Sequence, residues 1–295
     1  GFCEAGTEDK WLEVHGIEHW TEFYTDYGRE IQLAFFDHFL KGKKNGWNER
    51  PKVQLQIRHP GEKFVERFEK SWPLEQTQWT KFYLDGESQS LVQEANTKEI
   101  SLSYKGLSDG LTFMSLPLEN EMEITGPMAS KLWISSDTVD ADLFLVFRIF
   151  TPDLKEITYQ GALDPHTPIA QGWLRASHRK LDHKKTKSWR PYHTHDEKQS
   201  LKPGEIYELD VEVWPTCIVV PKGYRIALSV RGKDYIYPGP VDSGLSNMKN
   251  AFTGVGPFLH DDPDDRPPKV FDNEVTLHFG KDRKPFILLP IVPKN

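Results

Sequence analysis

Beyond Pro51 this chain shows no helical period, and its apolar residues recur at every second position in short runs. Val53, Leu55 and Ile57 alternate with Gln54, Gln56 and Arg58, the pattern of a strand buried on one face. Further short runs fall at 81–84, 111–114, 131–135, 143–150, 157–160, 173–176, 207–213, 225–230, 276–279 and 286–289. Gly, Pro, Asp and Asn separate them. Asn45-Gly46, Pro203-Gly204 and Pro221-Lys222-Gly223 are turn signals, because Pro fixes φ and Gly reaches positive φ without steric cost. Many short strands divided by turns predict a mainly β fold, a jelly-roll β-sandwich. No internal repeat is visible.

The first fifty residues read differently. Trp11, Leu12, Glu13 and Val14 make a short strand end, and His15 and His19 follow it. From Thr25 onward Ile31, Ala34, Phe35, His38 and Phe39 recur at spacings of three and four, one apolar stripe on a helix. Asp26 is a candidate cap for its start and Gly42 for its end, and Lys41, Lys43 and Lys44 suit the negative end of its dipole. A strand end, a loop bearing histidine and then a helix is how a Ser-His-Asp hydrolase presents its base. Glu13 shares a strand face with His15, and Glu18 lies beyond the strand; both read as solvated groups rather than as the triad acid. Nothing before Lys10 supplies a strand and turn for a nucleophile, so the chain is expected to begin partway through an enzyme.

At 295 residues there is room for a sizeable core. Charged residues at 27% and hydrophobic ones at 37% suit a globular protein in water. The formal charge of -7, with scattered Lys and Arg, argues against a nucleic-acid partner, and no apolar run is long enough to span a bilayer. Cys3 and Cys217 have no metal spacing around them and are expected to be unpaired thiols, which points to a reducing, cytoplasmic setting.

Other candidate sites read as structural. Gly106-Leu107-Ser108-Asp109-Gly110 has the letters of a nucleophile elbow, but the strand-like 111–114 follows where a helix is required, so a β-hairpin turn is expected. His193 and His195, at i and i+2, could ligate a metal together, yet spacing fixes no third ligand; no metal and no cofactor are expected. The acidic 260–265 run lacks the spacing of a calcium loop. Asp137, Asp140 and Asp142 read as turn and capping groups. Trp72, Trp79, Trp133, Trp173, Trp189 and Trp214 are sugar-stacking candidates by residue type, with packing the safer reading. Two long polar stretches, 166–195 and 243–266, have the length of functional or interface loops.

Motifs in fixed order tie these segments together. Arg29 to Trp47 (REIQLAFFDHFLKGKKNGW), Pro51-Lys52-Val53, Ser71-Trp72-Pro73-Leu74 and Gly126-Pro127 come first, then Ser135-Ser136-Asp137 with Asp140 and Asp142. Gly172-Trp173-Leu174-Arg175-Ala176-Ser177-His178-Arg179, Lys202-Pro203-Gly204-Glu205, Gly223-Tyr224-Arg225-Ile226-Ala227-Leu228 and Leu288-Leu289-Pro290-Ile291 complete the set. Their order and spacing resemble the C-terminal part of the serine hydrolase family that contains X-Pro dipeptidyl-peptidases, bacterial cocaine esterase and α-amino acid ester hydrolases (CocE/NonD). The resemblance implies that residues 1–46 are the last strand and helix of an α/β-hydrolase domain and 47–295 a galactose-binding-like jelly roll. It implies His15 as the triad histidine, with His19 as the alternative. The nucleophilic Ser and triad Asp of such enzymes precede the matched region. The implied partners are an N-terminal α/β-hydrolase portion, in the same chain or another, or a second copy of this chain against the helix, together with a small peptide or ester substrate. The contrasting expectation is a free-standing sandwich that binds a glycan or a protein.

Overall fold

The computed structural model describes residues 1–239 and 252–294. The described strands are β1 Leu12–Val14, β2 Val53–His59, β3 Lys63–Glu69, β4 Gln78–Asp85, β5 Ser90–Val92, β6 Ile100–Lys105, β7 Leu111–Met114, β8 Met122–Ser136, β9 Asp142–Phe150, β10 Glu156–Ile157, β11 Ala170–Arg175, β12 Tyr207–Val220, β13 Arg225–Arg231, β14 Glu274–Phe279 and β15 Phe286–Val292. Helices α1 Thr21–Tyr24 and α2 Asp26–Lys41 lie between β1 and β2, and the short α3 Pro268–Phe271 precedes β14.

The fold is the expected β-sandwich. One layer runs β3-β2-β12-β8, continuing from β8 to β15 and β4 along part of its edge and to β14 and β6 along the rest. The other layer is β7-β13-β9, flanked by β10 and β11. Alternation places Leu143, Leu145, Phe147 and Ile149 of β9 inside, where they meet Ile124, Leu132 and Ile134 of β8. Gly204 and Gly223 sit at φ 78° and 83° in the turns where the sequence placed them.

One irregularity in this sandwich creates a second core. Strand β12 pairs with β8 in unbroken register except between Val213 and Thr216, where Trp214 and Pro215 face the single Pro127. The extra residue reverses the parity of β12. Before it Leu209, Val211 and Val213 point inward; after it Ile218 and Val220 do. Cys217 and Val219 therefore emerge on the outer face, where they pack with Val53, Leu55 and Ile57 of β2. Leu12, Val14 and Trp72 lie against this cluster.

The second core carries a β-α-β unit. β1 pairs parallel to β2 with Val14 opposite Leu55, and α2 is the crossover between them. The parallel pairing runs across the expected 46/47 division. Polar links fasten the β2–β3 hairpin to the sandwich: Arg67 makes a bidentate pair with Glu123 of β8 at 2.7 and 2.8 Å, and Glu62 at the hairpin tip accepts the Gln160 N–H at 2.6 Å.

Helix α2 is capped by Thr25, whose Oγ1 accepts the Gly28 N–H at 3.0 Å; Asp26, the expected cap, is already inside the first turn. Gly42 ends the helix at φ 65°. Among the described residues three strands were not foreseen, β3, β5 and β6. Three others, β8, β12 and β15, run on through Pro127, Pro215 and Pro290, where a sequence reading stops because proline weakens a strand assignment.

Gly126 has φ 144°, and a Cβ there would stand 2.9 Å from Pro290 Cβ. The replacement Gly126→Ala is expected to destabilise the protein by about 1 kcal/mol or more, since Ala must adopt a conformation open mainly to Gly. Urea unfolding measures this, and an unchanged midpoint would contradict the assigned bulge.

Candidate functional site

His15 stands immediately after the carboxyl end of β1, with α1 and α2 following it in the chain. The turn that holds it is constrained. Gly16 N–H donates to Gln56 Oε1 of β2 at 3.1 Å, and Ile17 has φ 64°, a strained state for a β-branched residue. Glu18 is buried and accepts from Thr21 Oγ1 at 2.8 Å. His15 Nδ1 lies 3.3 Å from the Gly16 carbonyl.

His15 opens into a cleft of about 420 Å³. Gln56 and Arg58 of β2, Glu212 and Thr216 of β12, and Trp189 and Arg190 of the long 166–195 stretch share its lining. Both arginines are committed: Arg58 lies over the Tyr159 ring at 5.2 Å, and Arg190 pairs with Glu4 at 2.7 Å. Burial raises the Glu212 carboxyl above its ordinary range. Cys3 and Cys217 reach the same cleft as free thiols.

Other sequence candidates fall elsewhere. His19 is exposed, its ring edge-on to Trp20 at 4.6 Å, and it does not line the cleft. Glu13 does not share a face with His15: it accepts from Tyr27 of α2 at 3.0 Å, whereas His15 lines the cleft with Leu12 and Val14. The strand stops at Val14, so its alternation does not govern His15. Ser108 donates to the Lys105 carbonyl at 2.6 Å and accepts from Gly110 N–H at 3.2 Å. It is a turn residue, but not of a hairpin, because β6 pairs with β14 and β7 with β13. Asp137 and Asp140 accept backbone N–H groups, as capping residues do.

The two long polar stretches meet at a second groove of about 410 Å³, although residues 243–251 of the later one lie outside the described residues. His178, His193 and His195 come from one stretch, and His260, Asp265 and Arg266 from the other. Asp142 joins them: it binds Arg175 at 2.8 Å and Arg266 at 2.9 Å, and Arg175 also grips Asp265 at 2.9 Å. The acidic run thus has an arginine partner. Trp173 and the exposed Trp214 form an edge-to-face pair at 5.0 Å near this groove, and Trp79 stacks on Trp189 at 5.8 Å.

Outward from the cleft, α2 carries an exposed apolar face. Phe35 and Phe39 touch Trp47 and Trp11 at 5.2 and 6.0 Å but stay exposed, as are Leu33, Phe36 and Leu40, and Phe23 and Tyr24 of α1. Asp37 is buried beneath Lys41 and Lys43, both at 2.7 Å. Among the described residues no helix is long and apolar enough to cross a membrane.

Comparison with known proteins places this architecture. Residues 45–263 match the family described as the X-Pro dipeptidyl-peptidase C-terminal non-catalytic domain. Cocaine esterase of a Rhodococcus species is 24% identical over 248 residues, which are 70% of this chain and 38% of that protein. The crystal structure of a CocE/NonD family hydrolase from Staphylococcus aureus superposes with TM-score 0.83 at 25% identity, covering 99% of this chain and 50% of that one. An aminopeptidase from a marine sediment thaumarchaeon shares the fold, with TM-score 0.61 at 14% identity over 93% of this chain and 44% of that one. The chain thus spans half or less of the length of these relatives.

Two measurements check the site. Burial pushes the Cys217 thiol up to about 12, whereas Cys3 is exposed. A thiol reagent at pH 8 is expected to label Cys3 alone in the native protein and both residues in denaturant; rapid native labelling of two thiols would contradict the packing. His260 is raised above the usual histidine range by its bond to Asp234, at 3.0 Å, more than burial lowers it. A raised native value stabilises the fold at low pH. The stability lost in His260→Gln is therefore expected to be full below about pH 6.5 and to shrink as pH rises through the native value. Unfolding curves at several pH values test this, and a gap that widens with pH has the wrong sign.

Proposed function

Because the chain belongs to the family of X-Pro dipeptidyl-peptidase C-terminal non-catalytic domains, we propose that it is the C-terminal portion of a serine hydrolase. In this reading His15 is the triad histidine and the sandwich walls the substrate cleft. The carrying observation is the place of His15: after a parallel strand, before a helix, and inside a cleft shared with β2, β12 and the 166–195 stretch. The alternative, His19, is exposed and apart from that cleft.

The chemistry follows from the imidazole. A serine hydroxyl supplied by an α/β-hydrolase portion attacks the carbonyl carbon of a peptide, ester or amide. His15 accepts the hydroxyl proton and returns it to the leaving amine or alcohol. Water then attacks the acyl-enzyme, giving its proton to His15, which hands it to the departing serine. A carboxylate on the second ring nitrogen must orient the imidazole. Without serine, carboxylate and oxyanion donors, the described portion is not expected to catalyse this reaction. The exposed faces of α1 and α2 are where the hydrolase portion docks, at Phe23, Leu33, Phe36 and Leu40.

A second reading, a glycan-binding module, draws on the Trp173–Trp214 pair, since Trp214 is 61% exposed. A glycan array separates the two. The aromatic face of α2 favours the hydrolase, because a lectin needs no such surface.

The test uses the intact enzyme encoded by the full reading frame, assayed with p-nitrophenyl acetate and X-Pro-p-nitroanilides. His15→Ala is expected to lower kcat by roughly 10³-fold or more, and His19→Ala to leave it within a few-fold of the parent. Retained activity in His15→Ala, with the fold intact by circular dichroism, would overturn the assignment.

A further inference from the structure

We propose that His178, His193 and His195 form a binding site for a divalent late transition metal such as zinc, separate from the His15 cleft. The two Nδ1 atoms of His178 and His195 lie 3.3 Å apart. For metal–nitrogen bonds of 2.0–2.1 Å, the edge of a tetrahedron is about 3.3–3.4 Å, so the pair already has the spacing of two ligands on one ion. The third ring, His193, is centred 6.0 Å from His195, and its Nε2 is buried without a hydrogen-bond partner. Among the described residues no three ligating side chains yet stand in coordination geometry. The site has one edge formed, and metal would draw the third imidazole in.

The surroundings favour a cation. Nearby positive side chains are occupied: Lys180 by Asp196 and Glu197 at 3.1 and 3.3 Å, and Arg175 by Asp142 and Asp265.

The scaffold is ordered before any ion arrives. His178 closes the turn Ala176–His178 at the end of β11. His193 forms an antiparallel bridge with Leu181, and Thr194 N–H donates to the Lys180 carbonyl at 3.0 Å. His195 follows at φ 51°, in the left-handed region, and there its ring meets His178. Sequence spacing supplied only the 193/195 pair; the turn after β11 brings the third imidazole from seventeen positions away.

The test is titration of the tag-free chain, stripped with chelator, with Zn²⁺ by calorimetry and with Co²⁺ by visible absorption. One saturable site and the intense spectrum of tetrahedral Co²⁺ are expected. His178→Ala and His195→Ala should each weaken Zn²⁺ binding by about tenfold or more, since losing a ligand costs at least what losing an outer partner does. His183→Ala, on an exposed residue of the same stretch, should not change it. X-ray absorption of the zinc-loaded parent keeps the test independent of variant folding: scattering from two or more imidazoles is expected. Absence of saturable binding, unchanged affinity in both variants, or an oxygen-only shell overturns the site. None of these outcomes bears on the role of His15.

Discussion

The architecture depends on one extra residue in β12. Without the bulge at Trp214 and Pro215, Cys217 and Val219 would point into the sandwich and Ile218 and Val220 out of it. One strand could not then serve two cores. The parity reversal gives β12 an apolar inner face along its whole length and an apolar outer face along its second half. On that outer patch rest β2, β1 and the crossover helix, and the position of His15 follows from them.

The consequence is a histidine held firmly but left without chemical partners among the described residues. Strain at Ile17, the Gln56 bond to Gly16 and the buried Glu18 fix the loop. Such strain persists only where surrounding packing over-determines it, and it concentrates at working sites. The helix behind His15 leaves Phe36 and Leu40 in water, and Phe35 and Phe39 stay exposed even where they touch Trp47 and Trp11. His15 thus lines a cleft beside a helix whose apolar side chains face water.

The long loops are tied down by charge. Asp142, nearly buried, holds Arg175 and Arg266 together, and Arg175 reaches Asp265. Two guanidinium groups on one carboxylate would be costly unless their remaining donors were met, and Arg266 also donates to the His260 carbonyl. This network pins the later loop against β11, so imidazoles from distant parts of the chain share a groove.

Much of the layout was legible in the sequence. Alternation located most strands, and Gly and Pro located their turns, because side-chain parity and φ are local properties. The strand-loop-helix context of His15 was legible for the same reason. Strand β3 was not: as a charged hairpin arm with exposed Val65 and Phe68, it carries no buried face to announce it. Nor was the continuity of β8 and β12 through proline, which a bulge permits and a local rule forbids. The orientation of Glu13 was misread because alternation ended one residue before His15. The sequence alone determined a β-sandwich with a β-α entry bearing a histidine, since periodicity and turn chemistry act over a few residues. Only the tertiary structure decided that β12 would face two ways, which histidine would enter a cleft, and that His178 would meet His195, because each depends on register between segments far apart in the chain.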